Sequence, residues 1–123
     1  MRIILADPNP NSLWALKTLL QEKPEMEVIG DTVDAESLLA LAILHPPDLV
    51  LIDMELPGRP FEDLITELHS AKPSPVVVGM STRLEYGRIM LNAGADAFVS
   101  KNDQPDWLLE ILHKFEQRSR KIR

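Results

Sequence analysis

Five short, largely apolar runs alternate along the chain with longer segments in which apolar residues recur at helical spacing. The runs are residues 3–6, 27–30, 48–52, 75–78 and 97–99. Short apolar runs bounded by turn residues are typical of strands buried on both faces of a sheet. The pattern therefore predicts five buried strands.

The segments between the runs have the period of amphipathic helices. Leu13, Leu16 and Leu20 share one face, and four later segments repeat this spacing. Their apolar faces are formed by Leu38, Leu41, Ala42 and Leu44; Leu64, Ile65 and Leu68; Tyr86, Ile89, Met90 and Ala93; and Leu108, Ile111, Leu112 and Phe115. Asp34 is a candidate N-cap, and Gly94 is a candidate helix stop.

The predicted order is therefore (βα)5. Strands that alternate with helices imply an open parallel sheet covered on both faces, a doubly wound α/β fold. A common order for five such strands is 2-1-3-4-5. The length of 123 residues suits one domain, which we expect to span residues 1–123.

Composition narrows the function classes. There is no cysteine, so disulfides and thiolate metal sites are excluded. No apolar run is long enough to cross a bilayer, and the N-terminal segment does not resemble a signal peptide, which favours a cytoplasmic protein without a membrane partner. The net charge of −6 argues against nucleic-acid binding by this domain alone, because acidic surfaces repel phosphate backbones.

The C-terminal residues 114–123 reverse that charge. They hold five bases, Lys114, Arg118, Arg120, Lys121 and Arg123, and one acid, Glu116. Cations suit the C-terminal end of a helix, so a solvated helix end is one interpretation. The other is a linker toward an effector domain.

Three residues with reactive or charged side chains follow or end predicted strands. Asp7 follows the first strand, Asp53 follows the third, and Lys101 comes at the end of the fifth. In an open parallel sheet, ligands bind beyond the carboxyl ends of the strands, where the strand order reverses. We therefore expect Asp7, Asp53 and Lys101 to converge on one crevice.

Two acids and a lysine in one crevice have a definite chemical use. Close carboxylates resist both being charged unless a cation joins them, and Mg²⁺ prefers such oxygen ligands. An aspartate can also act as a nucleophile on phosphorus and form an aspartyl phosphate. No glycine-rich phosphate or dinucleotide loop is present, and no general base or nucleophile pair appears beyond these residues, so an enzyme is not expected. His45, His69 and His113 lack metal-ligand spacing and are expected to be surface residues.

The residues in this pattern resemble those of a response-regulator receiver domain, and more narrowly the receivers that precede a helix-turn-helix domain. The resemblance spans nearly the whole chain and is carried best by residues 47–58 and 93–101. It implies that Asp53 is the phosphoacceptor, that Lys101 binds the phosphoryl group and that Phe98 is the switch aromatic. It also implies a metal held by Asp7, Asp53 and the backbone carbonyl of Glu55.

Three positions depart from the family pattern. Pro8 stands where the second acid of the acidic pair belongs, so weak Mg²⁺ binding is expected. The switch hydroxyl should close strand four; a gapless count places Gly79 there, whereas Ser81 fits if the following loop is two residues shorter. Asn102 follows the lysine where many family members have proline.

Two functions are compatible with these residues. In the first, a histidine kinase or phosphotransfer protein donates a phosphoryl group to Asp53. In the second, the domain is a degenerate receiver that dimerises or binds a partner without phosphorylation. In the family, the surface of helix four, strand five and helix five is a common dimer surface, and Trp107 is expected near it; Trp14 and Trp107 could equally pack as ordinary side chains.

Overall fold

The computed structural model describes residues 1–122, and the side chains of residues 1–118. The strands are β1 (Arg2–Ala6), β2 (Glu27–Thr32), β3 (Leu49–Asp53), β4 (Val76–Ser81) and β5 (Ala97–Ser100). The helices are α1 (Pro10–Gln21), α2 (Ala35–Leu44), α3 (Phe61–His69), α4 (Tyr86–Asn92) and α5 (Pro105–Ile122). Strands and helices alternate as predicted.

The strands form one parallel sheet in the order β2-β1-β3-β4-β5, which confirms the predicted fold. The central strand β3 pairs with β1, in register from Ile3 opposite Leu49 to Ala6 opposite Ile52. Because β1 and β3 are neighbours, the residues that end or follow them meet at the same edge of the sheet.

Both faces of the sheet are covered by helices. Ile4 and Ile52 belong to a core cluster with residues of α2, α3 and α4, whereas Ile3 and Leu51 belong to a second cluster with residues of α1 and α5. Successive residues of a strand point to opposite faces, so a strand buried on both faces is apolar throughout. This is why the uninterrupted apolar runs predicted the sheet correctly.

Local signals set most helix ends. Asp34 caps α2, since its Oδ1 accepts a 2.7 Å hydrogen bond from the Ser37 N–H. Asn9 caps α1 in the same way through the Asn11 N–H. Gly94 follows α4 with φ = 112°, a conformation in which a β-carbon is strained.

Strand β4 is longer than predicted. It ends at Ser81 instead of residue 78, because β3 and β5 pair with it on both sides: Asp53 lies opposite Met80, and Ser81 lies opposite Ser100. This pairing outweighs the low strand propensity of Gly79. Similarly, β3 is shifted by one residue from the predicted 48–52 and includes Asp53.

The basic C-terminal segment begins within a helix. Helix α5 continues to Ile122, so residues 114–122 are helical, while Arg123 lies outside the described residues. In the described part of the chain, no helix combines the length and apolarity that crossing a bilayer would need.

Candidate functional site

Lys101 joins the two acids at the carboxyl edge of the sheet. Its Nζ lies 2.5 Å from Asp7 Oδ2 and 2.5 Å from Asp53 Oδ2. Asp7 immediately follows β1, Asp53 is the last residue of β3, and Lys101 immediately follows β5. The three side chains that the sequence predicted to converge therefore do so.

Both carboxylates are buried. Asp7 is fully inaccessible and Asp53 is 4% exposed. Their second oxygens accept backbone hydrogen bonds, Asp7 Oδ1 from the Asn9 N–H at 2.9 Å and Asp53 Oδ1 from the Glu55 N–H at 2.7 Å. These bonds fix the orientation of each carboxylate. They also replace hydrogen bonds to water that burial removes, since a buried charge without partners is costly.

The ammonium of Lys101 is held in its charged form by these acids. Burial by itself lowers the pKa of Lys101, but the contacts and charges of Asp53 and Asp7 outweigh that effect and leave the pKa above its ordinary 10.5. A lysine that stays protonated is a permanent counter-ion for the buried pair.

A cavity of about 270 Å³ opens over these three side chains. Its other lining residues come from the end of β4, from the loops after β1, β3, β4 and β5 and from the start of α1; they are Pro8, Asn9, Ser12, Glu55, Ser81, Thr82 and Asn102. The cavity is large enough for a small anion beside Asp53.

Ser81, and not Gly79, lies at this cavity. The Lys101 N–H donates a 2.8 Å hydrogen bond to the Ser81 carbonyl, and the Ser81 Oγ accepts one of 3.0 Å from the Arg83 N–H. Gly79 lies two residues earlier, inside β4, beneath the side chain of Met90. Of the two positions left open for the switch hydroxyl, only Ser81 is on the cavity wall.

Phe98 lies in β5, on the face of the sheet that α4 covers. Its ring is partly buried against the core cluster, and a β-carbon on Gly87 of α4 would come within 2.9 Å of Phe98 Cδ1. Phe98 therefore contacts α4 directly, which is the placement a residue needs to link the sheet to that helix.

The residues at the cavity do not fit a magnesium site of the usual composition. Pro8 offers no carboxylate where a second acid was expected, and Asp7 Oδ2 already contacts the ammonium that also binds Asp53. Among the residues described, no three acid or histidine side chains cluster as metal ligands would. Weak metal binding, as expected from Pro8, stays a prediction.

The sequence did not identify Ser12 or Asn9 as site residues, and it singled out Asn102 only as a departure from the family pattern. The Ser12 Oγ lies 3.5 Å from Lys101 Nζ, Asn9 holds Asp7, and the Asn102 Nδ2 donates a 2.9 Å hydrogen bond to the Thr82 carbonyl. The Asn102 bond ties the loop after β5 to the loop after β4. For Asn9 and Ser12 the sequence signal was the polar cluster between Asp7 and Ser12, which also fits an ordinary turn.

An open parallel sheet that gathers two buried acids and a lysine at its carboxyl edge defines a receiver-type signalling fold. The sequence of residues 3–113 matches the family model of the response regulator receiver domain, and the chain belongs to this family. Receiver domains are signalling modules of two-component systems, and as a family they typically bind Mg²⁺ at their acidic pocket.

Relatives agree with this assignment. The nitrate/nitrite response regulator protein NarL of Escherichia coli K12 is 31% identical over 91% of this chain and 53% of its own length. The chain thus spans about half of that relative. Resemblance to receivers of the helix-turn-helix-output subfamily is confirmed.

Solved structures show the same fold. The response regulatory domain of mrkE from Klebsiella pneumoniae superposes with a TM-score of 0.87 at 17% identity, covering 98% of this chain and 99% of that one. RcsB of Salmonella enterica serovar Typhimurium, bound to the promoter rprA in the presence of phosphomimetic BeF3⁻, superposes with a TM-score of 0.84 at 20% identity. The superposition covers 99% of this chain and 64% of that one.

Proposed function

We propose that this chain is a phosphoacceptor module that signals through an aspartyl phosphate at Asp53. The observation that carries the proposal is the position of Lys101 Nζ, 2.5 Å from both Asp7 and Asp53, at the base of a cavity that Ser81 also lines. A nucleophile, a cation and a hydroxyl donor are the groups that phosphoryl acceptance requires.

The chemical step is a displacement at phosphorus. A carboxylate oxygen of Asp53 forms the new O–P bond while the bond from phosphorus to the donor nitrogen or oxygen breaks, and the donor leaves with the electron pair. Lys101 stabilises the charge on the phosphoryl oxygens, and the Ser81 hydroxyl donates a hydrogen bond to one of them. The product carries a charge close to −2, enough to reorient nearby donors.

The signal would leave the site through β4 and β5. A Ser81 hydroxyl drawn toward the phosphoryl group gives up its bond with the Arg83 N–H, which lies in the loop before α4. Phe98 contacts the same helix at Gly87. A change at Ser81 would therefore act on the loop before α4, and a change at Phe98 would act on α4 itself.

The phosphodonor would be a histidine kinase or a phosphotransfer protein, and a homodimer through the surface of α4, β5 and α5 would be the output. Ile111, Phe115 and Ala97 contribute to a cavity of about 400 Å³ on this surface. Trp107 precedes Ile111 by one helical turn, so both lie on one side of α5, and Trp107 is 59% exposed.

A phosphorylation-independent receiver is the competing function, and Pro8 is the residue that favours it. The test is titration with beryllofluoride in the presence of Mg²⁺, followed by backbone amide NMR shifts. Under the proposed function, the amides around Asp53, Ser81 and Lys101 shift in the wild type and not in Asp53→Asn.

Asp31→Asn is the matched control, since Asp31 is also paired with a lysine, Lys17, but on the edge strand β2. This variant should respond as the wild type does. A wild type that shows no amide shifts would rule out the phosphoacceptor function and leave the competing one.

A further inference from the structure

The cavity has an unusual balance of charge for a site that accepts an anion. Asp7 and Asp53 supply two buried negative charges and Lys101 supplies one positive charge, so the group of three is left with one net negative charge. A carboxylate at position 8 would leave two, which one lysine could not balance. Pro8 therefore limits the uncompensated charge of this group to one.

The contacts of the carboxylate oxygens also show that Lys101 occupies the position between the two acids. Both Oδ2 atoms meet Lys101 Nζ, and both Oδ1 atoms accept backbone N–H bonds, from Asn9 and Glu55. Each of the four oxygens therefore already has a cation or a donor. A divalent ion would have to compete with the Lys101 ammonium for the two Oδ2 atoms.

We infer that Lys101 replaces the divalent cation in this cavity, so that Asp53 accepts a phosphoryl group without added metal. This inference rests on the proposed function and concerns its requirement for a cation. The Lys101 ammonium pairs with both carboxylates before reaction and with the phosphoryl oxygens during it, and it keeps its protons throughout. The Asp53 O–P bond forms as the donor's P–N bond breaks, and the leaving nitrogen takes the electron pair and a proton from water.

The experiment uses phosphoramidate as the donor and intact-mass measurement of the product. Wild-type protein freed of divalent metal by chelation should gain the mass of one phosphoryl group at the same rate in chelator and in Mg²⁺. Asp53→Asn should gain none, which shows that the phosphoryl group is on Asp53. Asp31→Asn, outside the cavity, should behave as the wild type.

Two variants test the role of the lysine. Lys101→Met should lower the metal-free rate by about 10²–10³, the loss typical of removing one transition-state donor. Pro8→Asp should become dependent on Mg²⁺ and should show saturable amide shifts on Mg²⁺ titration, while the wild type shows none at the same concentrations. Far-ultraviolet circular dichroism verifies that each variant is folded, and Lys101→Gln, which also removes the charge but keeps a polar side chain, replaces Lys101→Met if that variant unfolds.

The outcomes separate the two proposals. Phosphorylation of the wild type in Mg²⁺ but not in chelator would overturn the inference and leave the phosphoacceptor function intact. No phosphorylation under either condition would overturn the function itself. A metal-free rate that Lys101→Met leaves unchanged would also overturn the inference, because the lysine would then not supply the missing charge.

Discussion

The backbone N–H of Lys101 donates a 2.8 Å hydrogen bond to the carbonyl oxygen of Ser81, so these two residues lie side by side where β4 and β5 end. The Lys101 side chain extends from there to Asp7 and Asp53, and the Ser81 side chain lines the same cavity. A group bound to Asp53 would therefore meet an ammonium and a hydroxyl from adjacent strands.

Ser81→Ala should weaken beryllofluoride binding about 10-fold to 100-fold, since a hydrogen bond to a charged group contributes about 1.5–3 kcal/mol. It should lower the free energy of unfolding by about 1 kcal/mol, because the Arg83 N–H loses its acceptor. NMR titration and urea unfolding measure the two effects.

Ser100→Ala is the matched control for this variant. Ser100 is as buried as Ser81 and lies opposite it in β5, but it does not line the cavity over Asp53. Equal losses of affinity in the two variants would mean that the Ser81 hydroxyl has no special contact with the bound anion.

Gly79→Ala tests the close contact beneath α4. A β-carbon at Gly79 would lie 2.3 Å from Met90 Cε and 2.8 Å from Met90 Sδ, and Met90 is fully buried. Overpacking of a core costs about 1–3 kcal/mol, and the flexible methionine should keep the cost near the lower value. In a Met90→Ala background the same substitution should cost clearly less, and equal costs in urea unfolding would show that Met90 is not the obstacle.

The contrast between Gly79 and Ser81 shows how far the sequence could determine the site. Asp7, Asp53 and Lys101 could be placed because each adjoins an apolar run, and parallel strands end at a common edge. The switch hydroxyl could not be placed from the sequence, because its position depends on the length of the loop before α4. That length follows from the pairing of β4 with β3 and β5, which involves residues distant in sequence.

The fold could be predicted from the sequence more completely than the site, for a related reason. A strand such as β3 is buried on both faces and is apolar in every residue from Leu49 to Ile52, so local sequence alone identifies it. Ser12 and Asn102 act through contacts across loops, and serine or asparagine in a loop is common without any such role.

Lys101→Met should destabilise the protein by about 3 kcal/mol, the lower end of the cost of leaving buried charges without their partner. Adding Asp53→Asn should recover part of this loss, because only Asp7 then lacks a counter-ion. Lys17→Met removes a surface ion pair with Asp31, whose atoms are 2.6 Å apart, and should cost less than about 1 kcal/mol. Similar losses for both lysines in urea unfolding would contradict the structural role given to Lys101.

Trp107→Ser tests the proposed dimer surface. An exposed tryptophan at the centre of an interface commonly contributes 2 kcal/mol or more, so the dimer dissociation constant of the beryllofluoride-bound protein should rise by about 30-fold or more. Trp14→Ser is the control, because Trp14 is similarly exposed but lies on α1. Sedimentation velocity measures the change, and a wild type that remains monomeric with beryllofluoride would rule out this surface as a dimer interface.

The raised pKa of Lys101 predicts how its contribution depends on pH. The folded protein holds the Lys101 proton more tightly than the unfolded chain, whose lysine pKa is about 10.5. The stabilisation is therefore complete below about pH 10.5, declines as the pH rises through the folded pKa, and is absent above it. The difference in unfolding free energy between the wild type and Lys101→Met should accordingly be constant near about pH 8 and shrink above about pH 10.5, whereas groups common to both proteins cancel. A difference that stays constant into strong alkali would show that the charge of Lys101 does not stabilise the buried carboxylates.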